Sequence, residues 1–158
     1  MKILVAIDGS KHSEVAVDEV ARRHYPAMSE ERIISVVEPP FSYSGVGNDM
    51  QPFSAMERGA RERARAEVEA AAAKCRVNAE SRQLRVTSDV LAGSAKAVIL
   101  EQAETFGADL IVVGSHGQGM IERFLLGSVL QAIALHAKCS VEIVRSQKSM
   151  ANQSNQQV

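Results

Sequence analysis

The feature that most narrows what this chain can fold into is a pair of unbroken apolar runs, each ending on glycine and small polar residues. The first, Lys2-Ile-Leu-Val-Ala-Ile7, runs into Asp8-Gly9-Ser10, and the second, Asp109-Leu-Ile-Val-Val113, runs into Gly114-Ser-His-Gly117. A strand with one wet face alternates apolar and polar residues. A continuous apolar run is instead the mark of a central strand in a parallel sheet, buried on both faces. Helices must then cover both faces, so the chain is predicted to be α/β.

The intervening segments supply those helices. Val17, Val20, Ala21 and His24 recur at helical spacing between Ser13 and His24, and Pro26 closes the segment. A second strand, Arg32 to Val37, stops at Glu38-Pro39-Pro40 because proline cannot donate to a ladder. From Phe41 to about Pro52 the residues are those of a loop. Glu57 to Glu80 reads as an amphipathic helix, with Ala64, Val68, Ala71 and Cys75 on its apolar stripe and its charges on the solvated side. Leu84 to Leu91 begins with period-2 alternation, as expected of an edge strand. A helix then opens at the N-cap Ser94, carries Ile99, Ala103 and Phe106 inward, and closes at Gly107. The last helix is expected over Ser128 to Ala137, with Val129, Ile133 and Ala137 on one face. The alternating Val141 to Arg145 gives a second edge strand, able to pair with another chain.

Right-handed crossovers through this βαβαβαβαβ order predict a five-stranded parallel sheet of order 3-2-1-4-5, Rossmann-like, with helices on both faces. Its switch point lies between strands 1 and 4. Residues 1–145 are expected to form one domain. Ser146 to Val158, with six Asn/Gln and three Ser, is expected to be a disordered tail.

Composition removes several function classes. Eighteen Lys and Arg against nineteen Asp and Glu leave a net charge of -1, with no surplus to hold nucleic acid or an anionic membrane. Aromatics make up 4% of the chain and tryptophan is absent, so a stacking platform for single strands is missing. No apolar run approaches the length of a membrane span and no signal-peptide core is evident, so a cytoplasmic protein is expected. Cys75 and Cys139 belong to no CxxC pair and read as structural thiols.

In a sheet of this order a ligand binds beyond the carboxyl ends of the strands at the switch point, where Asp8-Gly9-Ser10 and Gly114-Ser-His-Gly117 converge. Glycines let backbone N–H groups approach an anion, and helix beginnings add partial positive charge. Gly127-Ser128 follows. A single helix through Ile121 to Ala137 would hold Gly127 in its interior at a cost of about 1 kcal/mol relative to Ala. A short turn over Ile121 to Leu126 and a fresh helix at Ser128 is the simpler reading. It turns the Ser128 hydroxyl and neighbouring N–H groups, as an N-cap, toward the same crevice.

Gly114-x2-Gly117-x9-Gly127-Ser128 resembles the G-2x-G-9x-G-[ST] pattern of the ATP-binding subgroup of the universal stress protein family. Ile-Leu-Val-Ala-Ile-Asp-Gly-Ser at the start and Leu-Leu-Gly-Ser-Val before the last helix agree with it, and the resemblance spans about Met1 to Arg145. It implies an adenine nucleotide alpha hydrolase-like fold that binds ATP. Asp8 would lie by the ribose and adenine, and the Val36 backbone would meet the adenine edge. Val113 and Gly114 would line the ribose side, and Gly117, Gly127, Ser128 and Val129 would donate to the phosphates. Mg²⁺ or Mn²⁺ would be held mainly by phosphate oxygens, since no carboxylate cluster forms a cage. It further implies a homodimer, often through the last strand. Members commonly carry proline just before that strand, where this chain has Ser140.

His116, in the glycine loop, has no acidic residue fixed in sequence to orient it as a base, so no catalytic residue is assigned. Arg123 reads equally as a phosphate contact or a solvated residue. His12, His24 and His136 lack metal-ligand spacing. Three functions compete: a nucleotide-responsive dimeric stress protein with at most slow ATP hydrolysis, a ligase or pyrophosphatase on the same architecture, and a dimeric interaction module that binds no nucleotide. The second lacks its Ser-Gly-Gly-x-Asp-Ser loop, and the third predicts loss of glycines that this chain keeps. A GxxxxGK[ST] loop, a third dinucleotide-type glycine and a receiver-type acidic pair are all missing.

Overall fold

The computed structural model describes residues 1–39, 51–77, 79, 83–115 and 127–145. The predicted loop over Phe41 to Pro52 therefore falls mostly outside the described residues, as do His116, Gly117, the turn over Ile121 to Leu126, Arg123 and the tail.

Five strands form one parallel sheet: β1 (Lys2–Ile7), β2 (Glu30–Val37), β3 (Arg85–Ala92), β4 (Leu110–Gly114) and β5 (Ser140–Val144). Their order is β3-β2-β1-β4-β5, as expected. Among the described residues four helices connect them: α1 (Lys11–Arg22), α2 (Gln51–Arg76), α3 (Ala95–Phe106) and α4 (Ser128–His136). The two apolar runs stand side by side in register, Ile3 opposite Leu110 through Ala6 opposite Val113.

Alternation along those central strands splits the core in two. Ile3, Val5, Ile33 and Val112 point to α1 and α2 and meet Val17, Val20, Val68 and Ala72. Leu4, Ile34, Ile111 and Val113 point to α3 and α4 and meet Ile99, Ala103, Leu130 and Ile133. Each fully buried aliphatic side chain contributes roughly 1.5–3 kcal/mol relative to exposure, so both helical layers are fixed by the same strands.

Several boundaries move for physical reasons. α1 runs two residues earlier than its apolar spacing predicts, because the Ser10 hydroxyl accepts from the Ser13 N–H at 3.2 Å and caps it there. At its other end the Arg23 N–H closes onto the carbonyls of Glu19 and Val20, and His24 lies beyond the helix, exposed. β2 gains Glu30 and Glu31 at its start, where the Glu30 N–H donates to the Met1 carbonyl at 2.9 Å. α2 begins at Gln51 and ends at Arg76, earlier at both ends than the predicted Glu57 to Glu80. Pro52 falls in its first turn, where no backbone donor is needed. Gly107 closes α3 at φ 69°, as expected.

β5 departs from the predicted alternation. Four of its five residues are half-buried. Glu142, on the α1 side of this edge strand, is gripped by the Arg23 guanidinium, whose Nη2 donates to Oε1 at 2.7 Å, so a polar position is covered rather than solvated. No helix of the described residues is long and apolar enough to cross a membrane.

Candidate functional site

At the carboxyl ends of β1, β2 and β4, on the α3 and α4 side, the chain encloses a cleft of about 390 Å³. Its floor is apolar, formed by Ala6, Val36, Val113, Ile99 and Ile133. Its polar lining comes from Asp8, Glu38 and Ser128 and from the buried Ser13. The cleft opens where the two crossovers from the centre of the sheet part, since α1 leaves β1 on one face and α4 leaves β4 on the other.

β1 ends in a turn at Gly9, whose φ of 73° is strained for residues with a side chain. Within it the Asp8 Oδ1 accepts from the Ser10 N–H at 3.1 Å, which orients the carboxylate at the rim. β4 ends at Gly114, where the reason for glycine is close approach. A Cβ there would lie 2.5 Å from the carbonyl carbon and oxygen of His12. The first glycine of the spaced pattern is therefore required by the packing of β4 against α1, in addition to lining the cleft. On the other side of β1, register with β2 stops at Ile7 opposite Ser35. Val36 thus stands one residue past the last pair while still paired to Leu91 on β3.

The beginnings of three helices border this cleft, and they differ. α1 is capped by the Ser10 hydroxyl. At α3 the predicted Ser94 hydroxyl cap does not form. The Glu38 carboxylate reaches over from the end of β2 and accepts from the Ala95 N–H at 2.8 Å. α4 starts at Ser128 as predicted, but its N-cap is Gly127, which has no side chain to offer, and Ser128 is the first helical residue rather than the cap. The first bond inside α4 runs from the Gln131 N–H to the Gly127 carbonyl at 3.0 Å, leaving the N–H groups of Ser128, Val129 and Leu130 without a partner in the helix. That end of the cleft offers donors and partial positive charge to an anion.

Of the residues singled out from sequence, Asp8, Val36, Val113, Gly114, Gly127, Ser128 and Val129 all line this cleft, and Gly117 lies outside the described residues. Sequence reasoning missed Ser13 and Glu38. Ser13 was visible as the third residue after a potential Ser cap. Glu38 had no signal, because its partner Ala95 is distant in sequence. Among the described residues, no three His, Cys, Asp or Glu come together as a metal cage.

The profile of the Universal stress protein family matches residues 1–145. This chain belongs to the universal stress protein family. A putative universal stress protein of Staphylococcus haemolyticus is 32% identical over 150 residues, covering 92% of this chain and 85% of its own. Universal stress protein A homolog 2 of Coxiella burnetii is 50% identical over 76 residues, a match that spans 46% of this chain and only about half, 51%, of the relative's length. Among solved structures, a universal stress protein from Lactobacillus plantarum superposes with a TM-score of 0.74 at 21% identity, covering 92% of this chain and 97% of that one. A family protein from Arabidopsis thaliana with AMP bound gives 0.61 at 16% identity over 98% and 97% of the two chains. A universal stress protein in complex with cAMP gives 0.52 at 25% identity over 92% and 96%. At the lower identities the likeness speaks to the fold of this universal stress protein.

Proposed function

We propose that this universal stress protein binds an adenine nucleotide, ATP, in the cleft between β1 and β4, and acts in the cytoplasm as a nucleotide-responsive homodimer. The observation that carries this reading is one cleft joining an apolar slot at Val36 to the uncapped beginning of α4. A base fits the first and phosphates the second. Asp8 stands between them, where a carboxylate accepts from a ribose hydroxyl. Val113 and Gly114 line the ribose side, and Gly117, Gly127, Ser128 and Val129 donate to the phosphates. With a net charge of -1, bulk positive charge does not hold a polyanion here, so backbone donors must. The AMP and cAMP held by the two family structures support the adenine assignment.

Among the described residues the cleft offers two carboxylates, Asp8 on the β1 turn and Glu38 just past the end of β2, too few for a cage. Mg²⁺ or Mn²⁺ would therefore be carried in on the phosphate oxygens. β5, at the sheet edge, is the proposed dimer strand. Residues 1–145 form the nucleotide-binding domain, and the 146–158 tail is dispensable for it. Two free thiols, Cys75 and Cys139, suit a reducing compartment.

Calorimetry with Mg·ATP on the full chain, beside a Gly117→Val/Gly127→Val variant, tests the reading. One site per chain that the variant loses is expected. No binding by the unmodified protein would shift the assignment to the interaction module. Phosphate release over hours at saturating ATP is the expected limit of hydrolysis, and fast turnover would contradict a binder.

A further inference from the structure

Two walls of this cleft begin helices, yet they present opposite charge. On α4 the first-turn N–H groups follow a glycine with no side-chain cap. On α3 the first N–H is met by the Glu38 carboxylate, and both Glu38 and Ala95 line the cleft. α1 shows that a neutral hydroxyl can satisfy a helix beginning in this fold, since Ser10 does so. Ser94 holds the equivalent N-cap position on α3 and makes no cap bond. A full negative charge thus meets the first donor of α3, the Ala95 N–H, while the Ser94 hydroxyl, which could serve only the donors after it, makes no cap bond.

The consequence is electrostatic. A neutral cap satisfies a donor but leaves the helix dipole open to an incoming anion, whereas a carboxylate cancels the dipole and repels the anion. We propose that Glu38 is a specificity-determining residue of the cleft: its charge closes the α3 beginning to phosphate, so a nucleotide is held in one direction, with the uncharged base toward β2 and α3 and the phosphates toward α4. The inference rests on the nucleotide reading above and supplies the cause of the ligand's polarity. A ligand carrying phosphate at both ends, or a free polyphosphate seated at the wrong end, meets repulsion at Glu38.

The test is calorimetric titration of the full chain with Mg·ATP and, separately, with inorganic pyrophosphate, for the unmodified protein, Glu38→Gln and Glu38→Ala. Gln keeps an oxygen to accept from Ala95 and removes only the charge, so it separates charge from capping. Thermal unfolding of both variants identifies the one that retains the fold. The expected result is pyrophosphate binding about two- to fivefold tighter in Glu38→Gln, a gain that shrinks at high salt, with a matching fall in the preference for Mg·ATP over pyrophosphate. A purely structural cap would leave Gln equal to the unmodified protein. Equal pyrophosphate affinities in proteins that all bind Mg·ATP overturn the role of Glu38 and leave the nucleotide reading intact. If the unmodified protein binds neither ligand, the nucleotide reading fails and this inference falls with it.

Discussion

The two faces of the sheet are built by the same strands and end differently. On the α1 and α2 face, the 26-residue α2 lays Val68, Ala71, Ala72 and Cys75 across the strands. Small alanines bring the helix close, and Glu67 reaches up to cover Gly9 at the end of β1. Beside Gly9, at the end of β1, this face keeps a groove of about 240 Å³, with Glu14, Glu67 and Lys74 among its lining. On the opposite face α4 has only nine residues and begins at Ser128, and among the described residues the carboxyl ends of β1, β2 and β4 border a cleft of about 390 Å³. Equal burial at mid-strand thus coexists with unequal closure at the strand ends. Stability belongs to the shared middle, and the proposed recognition belongs to the face whose last helix starts late.

This contrast is sharpened first by truncating one buried isoleucine on each face. Ile33→Ala on the closed face should cost about 2–5 kcal/mol in urea unfolding, because the cavity has nowhere to open. Ile99→Ala, which lines the cleft, should fall at or below the low end of that range, since the lost volume joins space that water already reaches. Equal losses would mean that the faces do not differ in closure.

Gly114 lies on the partition between the faces. Gly114→Ala must push the His12–Ser13 backbone and should destabilise by about 1–3 kcal/mol. It should also weaken Mg·ATP binding, because Ser13 lines the same cleft. A variant of unchanged stability that loses binding would assign Gly114 to the ligand alone.

The smallest effect concerns Cys75, the thiol of the closed face. Burial, with the buried Glu31 carboxylate beside it, pushes its pKa up to about 12. The folded thiol holds its proton more tightly than the unfolded one, so its contribution to stability is present below about pH 9 and is lost as pH rises toward 12. Iodoacetamide at pH 8 should leave Cys75 unmodified in the folded protein and label it on unfolding. Rapid labelling in the folded state would show that this face opens.

The sheet was readable from sequence because two continuous apolar runs admit few positions other than adjacent central strands, and their glycine-bearing ends mark the switch point. The helix boundaries were less readable. Apolar spacing placed α1 two residues late, since the hydroxyl of Ser10 rather than the first apolar residue fixes its start. Ser94 and Ser128 each looked like a cap by type and position. Ser94 does hold the N-cap position but its hydroxyl makes no cap bond, the first N–H of the helix being met by Glu38 across 57 residues, and Ser128 yields the N-cap to Gly127. The alternation of β5 misled for a related reason, as Glu142 is covered by Arg23 from 119 residues away. Such partners depend on tertiary geometry, which neither local composition nor spacing encodes.

The central claim, that phosphate is held at the beginning of α4 and not at that of α3, is tested most directly by amide chemical shifts of ¹⁵N-labelled protein during titration with Mg·ATP. The largest shifts should fall on Ser128, Val129 and Leu130, with Ala95 nearly still. Shifts centred on Ala95, or none at either helix, would contradict the account.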